Sequence, residues 1–237
     1  MHAFDFLMDQ YQRIVFFDVE TTGLDFKKDS VIELACISVQ RPNTTLEFNW
    51  LIKHREPLPA IITKMTNITD ELLRTKGVSR TEVVDSLLND VLNGGRILLA
   101  AHNGNFDLNF LRAMIAKEGR SLNWDDVDAI DTLTILKDRK PYPHKLSDAI
   151  REYCLVDSVK NTHRAIDDAR ATMMVFEKMC EENADVAEYI NLFGYNPKYG
   201  IRATNVLPGI RYVKQPYDST IKLYQFGGGV EKHAKKT

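Results

Sequence analysis

Asp18 and Glu20 stand two residues apart at the end of an apolar run, RIVFFDVE, over residues 13–20. If that run is a strand, its two-residue period sends both carboxylates to one face. Two acids aimed the same way repel each other unless positive charge lies between them, and buried acids are rarely left unpaired. A divalent cation with oxygen ligands, Mg²⁺ or Mn²⁺, is the economical partner. Asp107, in HNGNFDLNF, follows the next buried strand and falls in the first turn of a helix. Asp168, in THRAIDDARATMMVF, opens a long helix, with Asp167 beside it and His163 five residues earlier. Singly, each reads as readily as a solvent-facing strand-end acid, a helix N-terminal acid that complements the dipole, or a capping histidine. Jointly, three separated segments put an acid at a strand end or a helix start, where the active sites of open α/β sheets gather. Four carboxylates and one histidine suit two metals and a general base.

The elements that must position these residues follow from pattern. Residues 13–20, 30–40 and 46–52 read as strands rich in Val, Ile and Phe, and Pro42 and Asn43 suit a hairpin turn between the second and third. Strands joined so closely are expected to be antiparallel. Residues 69–73 read as a short helix capped by Thr69. Residues 81–91 repeat apolar side chains at helical spacing until Asn93, Gly94 and Gly95 end them. Residues 96–101 and 127–130 read as strands, and 105–118, 132–137, 145–153 and 164–182 as helices. An α/β fold with a mixed sheet is expected, because close-linked strands precede an alternation of strands and helices.

The 237 residues are 44% hydrophobic and 27% charged, the balance of a globular protein rather than a disordered chain. No apolar run approaches the ~20 residues of a membrane helix, and MHAFDFLMDQYQR lacks the apolar core of a secretory signal. Cys36, Cys154 and Cys180 are far apart and form no CxxC pair, which fits a reducing cytoplasm and excludes a cysteine zinc site. Charge is uneven. Residues 198–237 hold eight Lys/Arg and two acids, a net of +6, against −8 for residues 1–197. Six of the nine tyrosines lie at 189 or later, so composition shifts there too. We divide the chain into an N-terminal extension (1–12), a main domain (13–183) and a basic, Tyr-rich C-terminal extension (184–237). That extension reads as a solvated terminus, as a segment packed on the body, or as an arm for a polyanion.

FDVETTGL at 17–24, AHNGNFDLNFL at 101–111 and HRAIDDA at 163–169 resemble, in order and spacing, the three motifs of the DnaQ-like (DEDDh) 3′→5′ exonuclease superfamily. The resemblance is greatest to its PolC-type and epsilon-subunit proofreading domains and covers residues 13–182. LPAIITKMTNITDELL at 58–73 is similar to the segment that follows the first three strands in that family. The resemblance implies a ribonuclease-H-like fold, a five-stranded mixed sheet with helices on both faces. It implies two divalent cations, Mg²⁺ or Mn²⁺, held by Asp18, Glu20, Asp107 and Asp168, with His163 as general base. Histidine marks this branch; the sister branch has Tyr four residues before the last acid, where this chain has Arg164. Thr22, Gly23 and Leu24 are then expected at the last sugar and base, with glycine allowing close approach. Met65, Thr66 and Ile68 are expected along the base pocket, and Phe106 either stacked on a base or packed in the core. Asn103 is expected to brace its turn, and Asp131 and His144 to stand behind the acids at most.

The activity implied is hydrolysis from the 3′ end of single-stranded or frayed DNA to 5′-mononucleotides, in proofreading or repair and in trans to any DNA polymerase. RNA 3′-end trimming stays open, because only a few contacts sense the 2′-hydroxyl. So does a binding module in which the basic tail, with Tyr195, Tyr199, Tyr212, Tyr217 and Tyr224, holds a single strand.

Overall fold

The computed structural model describes residues 2–41, 44–159, 162–215 and 221–226. Pro42, Asn43, Tyr217, Lys232, Lys235 and Lys236 lie outside the described residues. Strands β1 (Arg13–Thr21), β2 (Val31–Gln40), β3 (Thr44–Leu51), β4 (Ile97–Ala101) and β5 (Val127–Asp131) form one sheet in the order β3-β2-β1-β4-β5. The β1–β2 and β2–β3 pairs are antiparallel, and β1–β4 and β4–β5 are parallel. This is the mixed sheet expected. Helices α1 (Ala60–Thr66), α2 (Asp70–Lys76), α3 (Arg80–Ser86), α4 (Gly104–Lys117), α5 (Thr132–Arg139), α6 (Leu146–Glu152) and α7 (Ala165–Glu182) surround it.

Alternation along β1 decides what each face buries. Ile14 and Phe16 pack with the buried stripe of α7, whose Ala165, Ala169, Thr172, Phe176 and Met179 recur at three- and four-residue intervals. Val15, Phe17 and Val19 pack with α3 and α4 on the other face. Asp18 and Glu20 share the parity of Ile14 and Phe16. Where β1 runs out of its core they therefore emerge on the α7 side.

Two short segments are not read from the sequence pattern. α1 is only seven residues long, between Pro59 and Asn67, and it turns two of its apolar side chains, Ile61 and Met65, outward while Ile62 packs inward. A 3-10 turn at Asp5–Asp9 places Phe4, Leu7, Met8 and Tyr11 in the core, with Phe4 against Phe16 and Phe176. Residues before β1 thus belong to the packed body. The helix expected over 81–91 forms as α3 and a π-turn at Leu87–Val91.

After α7, β6 (Leu192–Tyr195) and β7 (Arg211–Lys214) form a small parallel pair. Asn191 fastens this segment to the outer edge of β5. Its N–H donates to the Ala129 carbonyl at 2.7 Å, and its Oδ1 accepts from the Ala129 N–H at 2.8 Å. Val186, Tyr189, Leu192 and Val213 join the α7-side core, while Phe193, Leu207 and Tyr212 join the α4-side core. The described part of the extension is packed on the body and covers a strand edge. No helix among the described residues is long and apolar enough to cross a membrane.

Candidate active site

Burial along β1 is continuous to Phe17 and alternates afterwards, leaving Asp18 and Glu20 half-buried on one face and Val19 buried on the other. Carboxylate oxygens of Asp18, Glu20 and Asp168 lie within 4.8 Å of one another. Asp168 is buried in the first turn of α7. Asp107 is buried in the first turn of α4 and stands outside that triple. It is turned toward β1, where its Oδ1 accepts from the Val19 N–H at 3.3 Å. All four acids and His163 line one cleft of about 760 Å³.

Burial holds the Asp18 carboxyl well above the usual range, and repulsion from Asp107, Asp168, Glu20 and Glu33 raises it further. Burial lifts Glu20 to about 8, with Asp168, Glu33 and Asp107 adding to the rise and Arg164 opposing it. Burial lifts Asp107 to about 8 against the hydrogen bond from Val19. Among the described residues no ion pair reaches Asp18, Glu20 or Asp107. Clustered oxygen donors that hold protons this tightly fit a divalent metal ion, because a cation among them relieves the repulsion and displaces the protons.

Glu33 holds the cluster's surroundings in place. It is fully buried on β2, directly across the ladder from Glu20. It accepts from Arg164 Nη2 at 2.6 Å and Nε at 3.0 Å, and from the Ala165 N–H at 3.1 Å. This ties the residue after His163, and the start of α7, to the sheet. Sequence reasoning passed over Glu33; the available signal was one acid inside a strand, VIELACISV, that is otherwise apolar but for Ser38.

His163 is exposed on a left-handed residue, φ 53°, with no hydrogen-bond partner among the described residues. His102 is a second histidine of the cleft and is tethered at both ring nitrogens. Nδ1 lies 2.9 Å from Thr132 Oγ1 and Nε2 3.0 Å from the His144 carbonyl oxygen, and burial lowers its pKa. His144, the third histidine of the cleft, is buried with Nε2 2.9 Å from the Lys140 carbonyl oxygen, so His163 is the exposed histidine of the three. Asp131 caps α5 through the Leu133 and Thr134 N–H groups at 3.1 and 3.2 Å. It also accepts from the Asn103 and Gly104 N–H groups at 2.8 and 3.1 Å, so one carboxylate joins the starts of α4 and α5. Asn103, at φ 71°, is held in its turn by that bond. His144 lines the cleft.

Leu24, Met65 and Phe106 line the cleft too, and Leu24 is 87% exposed. The Phe106 ring also packs on Phe110, with centroids 4.8 Å apart. Thr66 is not brought to the cleft. It is buried, and its hydroxyl donates to the Ile62 carbonyl at 2.9 Å and accepts from the Ile68 N–H at 3.0 Å, closing α1. Ile68 is fully buried beside Ile32 and Leu73. Thr22 faces a different groove, its N–H donating to Ser30 and its Oγ1 accepting from the Ser30 N–H. Gly23 packs closely against the Asp29 carboxylate, which would have to shift to admit a Cβ there.

A sequence model of the exonuclease (RNase T) family matches residues 15–176. The PolC-type DNA polymerase III of Latilactobacillus sakei is 32% identical over 189 residues, covering 79% of this chain and 12% of that protein. That of Thermotoga petrophila is 35% identical over 167 residues, covering 70% and 12%. The chain thus spans about one eighth of the length of these curated relatives. Among solved structures, E. coli exonuclease I in complex with a dT13 oligonucleotide gives a TM-score of 0.61 at 16% identity, over 70% of this chain and 40% of that one. Exonuclease I from Methylocaldum szegediense gives 0.62 at 16%, over 73% and 41%. These likenesses establish the fold, which is ribonuclease-H-like.

Proposed function

The chain belongs to the exonuclease family, and on that premise we propose that it is a metal-dependent 3′→5′ exonuclease that hydrolyses single-stranded or frayed DNA to 5′-mononucleotides. The observation that carries this reading is the acid cluster, with Asp18, Glu20 and Asp168 within 4.8 Å of one another on a cleft shared with Asp107 and His163. A phosphodiester is anionic, so a site of four acids can receive it only with cations in place. Asp18, Glu20, Asp107 and Asp168 would hold two divalent cations, Mg²⁺ or Mn²⁺. Such a pair, when bound, supplies the positive charge that offsets the phosphate and lowers the pKa of water.

His163, at the cleft, accepts the proton of the attacking water on a ring nitrogen. Leu24 and Met65 flank the terminal base, and Phe106 offers it a ring face. Attack at phosphorus breaks the bond to the 3′-oxygen of the preceding nucleotide. The shortened strand keeps a 3′-hydroxyl and the released nucleotide keeps the 5′-phosphate. Residues 13–183 are the catalytic unit in this reading. Similarity to PolC-type sequences supports a polymerase acting on the same 3′ end as its partner.

The test uses 5′-labelled single-stranded DNA and the matched RNA, with Mg²⁺, Mn²⁺ or EDTA. A ladder shortened from the 3′ end, absent in EDTA and faster on DNA, is expected. Faster digestion of RNA would move the substrate to RNA trimming. No release with any metal overturns the reading.

A further inference from the structure

The cleft does not end at the acids. Its wall at Asn103, Leu133 and Lys137 is shared with a second cavity of about 500 Å³, whose far side is built by Tyr195, Tyr199 and Arg202 of the C-terminal extension. Sheet order decides which side of the acids this is. Asp18 and Glu20 end β1, and Leu24 follows them. Met65 lies on α1, whose Ile62 packs beside Ile32 of β2 and Leu51 of β3. Asn103 follows β4 and Leu133 follows β5, on the opposite side of β1. Leu24 and Met65 on one hand, and the second cavity on the other, therefore flank the acids from opposite sides.

A phosphodiester seated at the acids has the departing nucleotide on one side and the retained strand on the other. We propose that the second cavity binds a nucleotide on the 5′ side of the scissile bond, stacking its base on Tyr199 and meeting its phosphates with Arg202 and Lys137. This inference rests on the exonuclease reading above.

The chemistry of the lining fits that occupant. Tyr199 is 76% exposed, with the Lys198 ammonium 5.5 Å from its ring centroid. Arg202 is exposed and Lys137 half-buried, and neither forms an ion pair among the described residues. A presented ring beside uncommitted cations is what holds a single strand, because every base has a face to stack and every linkage a charge to meet. Asp131, the acid of this lining, is buried and already bonded to the N–H groups that start α4 and α5. A volume of about 500 Å³ lies within the range of pockets that enclose a small ligand.

The cavity is also anchored. Tyr212 Oη donates to Asn105 Oδ1 at 2.6 Å and accepts the Leu207 N–H at 3.1 Å, while the Gly194 N–H donates to Thr134 Oγ1 at 3.0 Å. The extension is thereby fastened to α4 and α5, the helices that carry Asp107 and Lys137. The wall contributed by Tyr195, Tyr199 and Arg202 lies beyond residue 176, where the family match ends.

Substrate length separates the cavity from the acids. Thymidine 5′-(p-nitrophenyl phosphate) presents one nucleotide, with nitrophenolate in place of the strand, whereas oligothymidylates of two to twelve nucleotides add the 5′ side. For the unaltered protein, KM is expected to fall as the strand becomes long enough to reach the cavity. Tyr199→Ala with Arg202→Ala is expected to raise KM for the twelve-nucleotide strand about tenfold. Its kcat and its turnover of the ester stay unchanged, and Tyr199→Phe keeps the original KM. Both side chains are exposed, so these variants fold. Equal KM for variant and unaltered protein at every length, or an equal loss on ester and strand, overturns the proposal. No turnover of either substrate by the unaltered protein would overturn the exonuclease reading and this inference with it.

Discussion

The Arg164 guanidinium lies 2.6 Å from a carboxylate oxygen of Glu33, a fully buried residue directly across the β1–β2 ladder from Glu20. The same carboxylate accepts the Ala165 N–H at 3.1 Å, so one acid on the sheet holds both the residue after His163 and the start of the helix that carries Asp168. Glu33 is a like charge beside Asp18 and Glu20 and raises both. Its value to the site is therefore positional. Glu33→Gln keeps the shape and removes the charge that pairs with Arg164. Its thermal midpoint is expected to fall by about 6–10 °C, from the loss of a buried partner. Its kcat is expected to fall about 10- to 100-fold, with a smaller change in Mn²⁺ affinity. An unchanged midpoint and kcat would show that the loop holds without this clamp.

His163 reaches the cleft from an exposed, left-handed position and has no tether among the described residues. It can be removed without opening the core. His163→Ala is expected to lower kcat by about 10²- to 10⁴-fold, the usual worth of a general base. Mn²⁺ affinity, followed by calorimetry, stays as it was. Loss of Mn²⁺ binding in this variant would make His163 part of the metal site instead.

The acid cluster sets a pH dependence in the metal-free protein. Glu20 and Asp107 keep their protons up to about 8 in the fold, against about 4 for a free carboxyl. The folded state therefore binds protons that the unfolded chain has released. The contribution of these groups is fully present below about pH 4 and is lost as pH rises toward 8. In EDTA, the thermal midpoint is expected to fall between pH 5 and 8 by about 5 °C more than that of Asp107→Asn. Mg²⁺ closes the difference at pH 8. Parallel curves for the two proteins in EDTA would contradict the raised carboxyls.

Leu24 is 87% exposed at the mouth of the cleft and supports nothing in the core. Leu24→Ala is expected to leave stability within about 0.5 kcal/mol. The same change is expected to raise KM for single-stranded DNA while kcat holds, because the lost contact is with substrate in both ground and transition states. A kcat loss at constant KM would place Leu24 in the chemistry rather than in binding.

The acids were legible because their geometry is local. The strand period sets Asp18 and Glu20 on one face, and the first turns of two helices, α4 after β4 and α7 after α6, set Asp107 and Asp168. What escaped depends on distant partners. Glu33 gains its role only when the chain returns, at Arg164, to a strand laid down far earlier. Thr66 and Gly23 were expected at the substrate by resemblance, yet the turn of α1 sends the Thr66 hydroxyl back to Ile62, and Gly23 packs against Asp29. Composition marks the tyrosines and bases after residue 189. It says nothing of the Asn191–Ala129 pairing that docks this segment on β5.

Asp18 lies on the central strand among Glu20, Asp107 and Asp168, and the most direct test is the hydrolysis rate of Asp18→Asn. Asparagine keeps the size and one oxygen and removes the charge. The measurement compares release from 5′-labelled single-stranded DNA at saturating Mg²⁺ for this variant and the unaltered protein, both shown folded by circular dichroism. Removing one charged ligand from a cation site forfeits several kcal/mol of transition-state stabilisation, so the rate is expected to fall about a thousandfold. Turnover close to that of the unaltered protein would contradict hydrolysis through carboxylate-held cations at this cleft.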